Sequence, residues 1–418
     1  MTDHPIRLTV TDDLHRGRWT VAFRLLLAFP HYIWLFLWSI AAFFATFANW
    51  LATLLLGRSP APLHRFLAAY VKYVTQLYAY LRLAAQPYPS FDGPDGYPID
   101  LRIAPPAQQS RWRTLLRLPL AFPALLIGGA LAGIGSFSST GSGSSWGLIF
   151  QGGGLLGTVA FLGWFTSLVR GQMPRGMRDV AAYGLCYGAQ LWSYLLLLTD
   201  RYPDSDPLRA LPELPARRDP IALRGEDDMR RSRLTVFFRL PLSFPHLLWL
   251  TLWSALALLA VLVNWVATLL RGRSPAALHR FLAAYVRYLI SVYAFLYVVA
   301  NPFPGFGGSP GSYPLDTLVA DPQPQNRWAV LFRLALAFPA LLLAGAYAGL
   351  VWVLAVLGWF SSLVRGRMPH GMRDAGALAL RYHAQAAGYL LLLTDSYPYS
   401  GPCASDRQPQ AASPWQPL

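Results

Sequence analysis

Three basic residues, Lys72, Arg287 and Arg381, occupy one equivalent position in a repeated sequence, inside stretches otherwise rich in Leu, Ala, Val and Tyr. The remaining copy has Cys186 there. Four residues further on stand Gln76, Gln190, Ser291 and Gln385, so each copy stacks polar groups at i and i+4, which project from one side of a helix. A charge at mid-membrane costs about 2.5 kcal/mol or more unless it finds water or a partner. No carboxylate shares that depth; Asp179 and Asp374 lie two turns back. An unpaired cationic seam suits an anion or a lipid phosphate, so Lys72, Gln76, Gln190, Arg287, Ser291, Arg381 and Gln385 form the candidate anion- or lipid-binding set. The plainer readings are that these groups bond carbonyls of neighbouring helices, or that their helix lies shallow in the interface.

The elements that must position this seam are long apolar runs. Leu25 to Leu56 holds no Asp, Glu, Lys or Arg over 32 residues. Pro30 to Gly57 as a helix measures about 42 Å, close to the thickness of a bilayer with its headgroups. The chain, 418 residues with 54% hydrophobic and 13% charged, has apolar runs enough for about eight spans. Its net charge of +15 comes from arginines that bracket apolar runs, which points to anionic headgroups and away from nucleic acid.

The runs are copies. Pro5, Arg24, Pro30, Trp50, Gly57, His64 and Pro89 recur 215 residues later as Pro220, Arg239, Pro245, Trp265, Gly272, His279 and Pro304. Pro98, Arg117, Pro123, Trp164 and Gly171 likewise match Pro314, Arg333, Pro339, Trp359 and Gly366. The order is A-B-A-B. Hairpin modules are expected over 5–91, 97–204, 219–306 and 313–399, with a flexible 205–218 linker and a disordered tail over 400–418. Module two carries 21 extra residues near 135–156, read as a surface loop or a broken helix. Its Gly143-Ser144-Ser145-Trp146-Gly147 and Gly152–Gly157 strings match a nucleophile elbow and a dinucleotide fingerprint, but lack the strand–turn–helix context of either.

The repeated Arg24, Arg117, Arg239 and Arg333, before each bend, and the tip residues Arg58, Arg170, Arg273 and Arg365 read as interfacial anchors snorkelling to phosphates. Trp19, Trp112 and Trp328 fit an aromatic belt. His31, His246, His64 and His279 are not spaced to share a metal within one helix, and the two cysteines suggest neither disulfide nor metal.

The pattern Arg-…-Phe-Pro-His, an apolar span, Trp followed seven residues later by Gly-Arg-x-Pro, then a helix ending in Tyr-Pro, resembles the bacterial membrane family catalogued as domain of unknown function 4389. The resemblance is closest in modules one and three and implies a multi-pass membrane protein; it supplies no activity and no catalytic residues.

The expected fold is all-α and integral to the membrane: about eight transmembrane helices as four repeated hairpins, with short surface strands possible near Pro5-Ile6-Arg7-Leu8. All hairpin tips then share one face, the repeats run parallel, and the arginine distribution favours cytoplasmic termini. The expected role is a non-catalytic membrane scaffold or lipid-interacting protein of the bacterial inner membrane. It needs no cofactor, binds anionic lipid, and meets a protein partner through the 200–233 linker. The alternative is a small permease or channel for an anion or anionic lipid, lined by Lys72, Arg287 and Arg381.

Overall fold

A computed structural model describes residues 4–133, 154–211, 213–225 and 227–406. Two compact units divide the chain, residues 1–213 and 214–418. The first contains β1 (Ile6–Val10), α1 (Arg18–Ala22), α2 (Arg24–Leu27), α3 (Phe29–Leu56), α4 (Ala61–Leu81), β2 (Ile99–Ile103), α5 (Arg111–Leu115), α6 (Arg117–Ala132), α7 (Gly154–Arg170), α8 (Arg175–Leu195) and α9 (Pro207–Ala210). The second contains β3 (Ile221–Gly225), α10 (Arg233–Phe237), α11 (Arg239–Arg271), α12 (Ala276–Leu296), β4 (Leu315–Val319), α13 (Arg327–Leu331), α14 (Arg333–Arg365) and α15 (His370–Leu390).

Modules one, three and four each have a long apolar helix, and module two the shorter α6 and α7; in every module an antiparallel return helix of 21 residues follows. The Gly-x-x-Pro tip explains the reversal. Gly57, Gly171, Gly272 and Gly366 end the long helices at φ near +70°, a left-handed conformation that costs glycine nothing. The following proline is extended and starts the return helix. In the A modules the tip is tied back: Ser59 donates to Asn49 Oδ1 and Ser274 to Asn264 Oδ1, both at 2.7 Å. The expected bend is local to module one, where α2 stops before Pro30; Pro123, Pro245 and Pro339 lie inside continuous helices.

Among the described residues three helices, α3, α11 and α14, are long and apolar enough to cross a membrane, where eight were expected. α6 and α7 have 16 and 17 residues, and the interposed 134–153 segment, most of the expected insert with its elbow-like string, lies outside the described residues. The return helices do not qualify because each is amphipathic. Their polar side, which total hydrophobicity conceals, is covered by strands and linkers that composition alone assigns to solvent.

Those strands form one two-stranded antiparallel ribbon per unit. β1 pairs with β2, centred on Leu8 opposite Leu101, and β3 with β4, centred on Leu223 opposite Thr317. In the first unit Ile6, Leu8, Ile99 and Leu101 are buried, while Arg7 and Arg102 on the other face are exposed. The ribbon packs on the return helices: β2 on α4 and β1 on α8, with α4 against α8. α3 packs on α4, and α6 and α7 on α8, which leaves the long helices outermost. The second unit repeats this order, with β4 on α12, β3 on α15, α12 against α15, α11 on α12 and α14 on α15. Linker glycines allow the close fit. A Cβ on Gly93 would lie 2.9 Å from Tyr73 N, and one on Gly308 2.2 Å from Ala284 O.

The modules of a unit run head to tail, not parallel. Gln109 N donates to Gly57 O at 2.8 Å, and Arg16 N to Gly171 O at 2.8 Å. In the second unit Gln325 N donates to Gly272 O at 2.8 Å and Arg231 N to Gly366 O at 2.9 Å. Tryptophans repeat the exchange: Trp50 Nε1 to Thr114 O, Trp164 to Val21 O, Trp265 to Val330 O and Trp359 to Val236 O. The two tips of a unit therefore sit at opposite ends, which corrects the expectation that all tips share one face. Sequence repetition reports that two modules are alike, not how a twofold turns one against the other.

Two further expectations change. Within the 200–233 linker, α9 packs on α8 and residues 221–225 form β3. The start of the tail folds too, with Cys403 buried and a 3-10 turn over Ala404–Asp406; residues 407–418 lie outside the described residues.

The head-to-tail arrangement predicts two engineered disulfides. His15 and Gln172 form one β-bridge, and Arg58 and Gln108 another. Bridge partners have Cα atoms about 4.5–5.5 Å apart, inside disulfide range. His15→Cys with Gln172→Cys, and Arg58→Cys with Gln108→Cys, are expected to oxidise to linked peptide pairs detectable by mass spectrometry. Parallel hairpins would yield neither link.

Candidate membrane interface

The sequence-predicted seam is present as a helix face, but the protein's own linkers occupy it. Lys72 meets Asp95, and Asp100 at 3.2 Å; its ammonium, through hydrogen bond and charge, holds the Asp95 carboxyl below its ordinary range. Gln76 donates to Pro94 O at 2.8 Å. Arg287 donates to Thr317 O in β4 at 3.1 Å, and Ser291 turns back to Arg287 O. Arg381 bonds Asp406 at 3.0 Å, Tyr399 O at 3.3 Å, and Gly401 O. Gln385 donates to Ile221 O at 3.0 Å and accepts from Tyr399 N at 2.9 Å. Gln190 accepts from Asp204 N at 2.8 Å, with Cys186 beside it. The i, i+4 stack was correctly located. Its environment was not: carboxylates distant in sequence are brought onto it, so the expected unpaired cationic seam is replaced by a docking face for the ribbon and linkers.

The four repeated arginines also differ from the snorkelling expectation. Arg24, Arg117, Arg239 and Arg333 are each no more than 3% exposed. In the A modules they reach a carbonyl in the last turn of the return helix, and in the B modules a carbonyl of the segment just beyond it, where backbone groups lack intrahelical partners. Arg24 donates to Tyr80 O, to Ala85 O at 3.3 Å and to Gln86 at 3.0 Å. Arg239 donates to Phe295 O at 2.5 Å, Ala300 O at 3.2 Å and Asn301 at 3.1 Å. Arg117 reaches Thr199 O at 3.1 Å, and Arg333 reaches Thr394 O at 3.4 Å and Asp395 at 3.1 Å. Each guanidinium also lies over an aromatic ring, Tyr80, Tyr194, Phe295 or Tyr389, at 4.1–4.5 Å.

Sequence reasoning missed a second clamp eight residues earlier. Arg16, Gln109, Arg231 and Gln325 donate to carbonyls of Leu83, Leu197, Val298 and Leu392. All four acceptors have φ of 61–64°. The signal was available as an Arg or Gln at a fixed offset from the repeated arginine. In the A modules Asp12 and Asp227 neutralise the extra cation, at 2.7 and 2.5 Å. In the B modules Gln109 and Gln325 instead accept from Arg117 and Arg333. The cleft between the β1–α1 connection and α8 is lined by Asp12, Asp13, Arg175, Arg178 and Asp179. Arg178 and Asp179 already pair at 2.7 Å, so both charge signs there are engaged.

What the long helices turn outward is apolar. Within the hydrophobic windows of α3, α11 and α14 only 17%, 22% and 39% of residues are buried. On α3 the polar Ser39, Thr46, Asn49 and Thr53 face the protein, while Phe36, Phe43, Phe44, Phe47 and Leu55 are exposed. The leading helices add exposed Trp19, Leu25 and Leu26, with Trp112 and Leu118 in module two. Arginines frame this surface at both ends of a unit. The tip residues Arg58, Arg170, Arg273 and Arg365 are exposed. Beside them Arg111, Arg18, Arg327 and Arg233 each cap a carbonyl in the last turn of a long helix, Leu55, Val169, Leu270 and Val364, at 3.0–3.1 Å. His31 and His246 are core residues, bonded to Tyr73 and Tyr288 hydroxyls at 2.8 Å. Among the described residues no His, Cys, Asp and Glu cluster suits a metal.

Two kinds of arginine should respond differently to substitution. Arg24→Met or Arg239→Met removes a buried donor from the helix-end carbonyl and from Ala85 O or Ala300 O and is expected to cost about 2–4 kcal/mol, read as a lower unfolding temperature in detergent. Arg58→Met should change stability by under about 0.5 kcal/mol. Equal losses for both would contradict the clamp.

No curated protein and no solved structure matches the chain. A family described as "Domain of unknown function (DUF4389)" matches residues 18–92, 233–306 and 327–400. These three segments are modules one, three and four, with each head, long helix and return helix, and they cover just over half of the sequence. The chain therefore belongs to the DUF4389 family, in repeated copies.

Proposed function

We propose that the protein is a non-catalytic scaffold or lipid-interacting protein of the bacterial cytoplasmic membrane, held there by hydrocarbon and by anionic headgroups. The observation that carries this reading is the exposed apolar surface of the long helices, framed at both ends of each unit by exposed arginines. Hydrocarbon is the solvent that such a surface requires, and arginines at its margins attract anionic lipid at about 1 kcal/mol each. The permease alternative needs Lys72, Arg287 and Arg381 to open on a shared path; each is engaged by its own neighbours, which favours the lipid reading. A protein partner would find exposed residues 216–218 of the linker, at the start of the second unit.

Reconstituted protein is expected to enrich anionic over zwitterionic lipid in its surroundings, read by energy transfer from native tryptophans to labelled lipid. Substituting Arg58, Arg170, Arg273 and Arg365 by Gln should reduce that enrichment about tenfold or more. Unchanged enrichment would contradict headgroup binding. Anion flux that disappears on substituting Lys72, Arg287 and Arg381 by Leu would favour the permease instead.

A further inference from the structure

The placement of the ribbon bears on how the first unit meets the bilayer. β1 runs toward the Gly171 tip and β2 toward the Gly57 tip. Five residues separate Val10 from Arg16, and five separate Ile103 from Gln109, the residues bonded to those tips. The Leu8–Leu101 pair thus sits midway along the unit, above α4 and α8. Were α3 to stand upright across a bilayer, this midpoint would lie at the membrane centre. Exposed Arg7 and Arg102 would then face hydrocarbon, and so would the Asp95 side chain, which is 95% exposed. Both ribbon edges would lie there with them. Lipid-exposed irregular backbone and open strand edges do not occur at that depth, and a charge there is costly.

Laid flat, the same unit meets no such conflict. A helix is about 10–12 Å across, and one leaflet contributes about 15 Å of hydrocarbon. α3 fits within it on its side, with the ribbon on the aqueous face. Trp34, Tyr88 and Phe91, partly exposed where linker meets long helix, fall at headgroup level, the usual depth of interfacial aromatics. The exposed Arg58 and Arg170 then reach the phosphates of the same leaflet.

We infer that the first unit is monotopic: its apolar side is an interaction surface for one leaflet of an anionic bilayer, with its long helices parallel to the membrane plane. This rests on the lipid reading above and adds the orientation. Length and hydropathy alone would classify α3 as a span; the reciprocal contacts of its tip and the position of the ribbon are what oppose it.

The test uses the full chain in sealed membrane vesicles of both orientations, with Arg58→Cys, Arg170→Cys and Arg102→Cys made singly. Cys186 and Cys403 are buried, and a C186A/C403A parent gives the background. A membrane-impermeant maleimide is expected to label all three positions from one and the same side. Labelling of Arg58→Cys and Arg170→Cys from opposite sides would overturn the inference while leaving membrane binding intact. Recovery of the protein in the soluble fraction without detergent would overturn the lipid reading itself. As a second measurement, spin labels replacing Leu26, Phe43 and Leu55 are expected at similar depth, within about 5 Å; a profile deepest at Phe43 and shallow at both ends would also refute the flat orientation.

Discussion

Helix C-termini leave carbonyls that need donors, and in apolar surroundings water cannot supply them. Arginine answers this need at every level of the molecule. Within a module, the repeated arginine holds the end of the return helix or the segment that follows it. Between modules, Arg18, Arg111, Arg233 and Arg327 close the long helix of the neighbour. One guanidinium offers five donors in a fixed fork, so a single side chain can serve two or three carbonyls at once. Buried cations are tolerated because their hydrogen bonds, aromatic faces and nearby carboxylates replace lost solvation. The same requirement explains why the arginines bracket apolar runs instead of clustering.

With the ends closed, packing follows from amphipathicity. The return helix is the hinge between two environments: one side takes the long helix, another takes the ribbon. In the second unit Val286, Ile290 and Leu282 meet Ile221, Leu223 and Leu315 in one apolar cluster, at about 25 cal/mol per Å² of apolar area buried. The polar stripe through Arg287 and Arg381 is the complementary side that fixes linkers in register. Polar atoms on that stripe specify which segment docks; the apolar contacts supply most of the energy.

Much of this was legible in the sequence. The period, the long helices and the strand at Ile6 all follow from local patterns, and the exposed tip arginines stand where their flanking glycines and prolines put them. The depth of the return helix was not legible. A stack such as Lys72 and Gln76 reads identically whether it faces a channel or a linker, and its carboxylate partner Asp95 becomes adjacent only after folding. Arg24 was misread for a related reason: a basic residue before an apolar run looks like an anchor unless one knows that Tyr80 O ends a helix beside it. Pairing of β1 with β2 spans about ninety residues and depends on the head-to-tail turn, which repetition does not encode.

The exchange of donors between neighbouring modules also sets a stoichiometry. Gly57 is satisfied by Gln109, and Gly171 by Arg16, so neither hairpin is closed by its own chain segment. The same exchange, made by a polypeptide with one copy, would be that of a symmetric homodimer, each subunit lending its leading residues to the other. Duplication within one chain frees the two halves to diverge, as the Asp12–Arg16 pair on one side and Gln109 on the other already have.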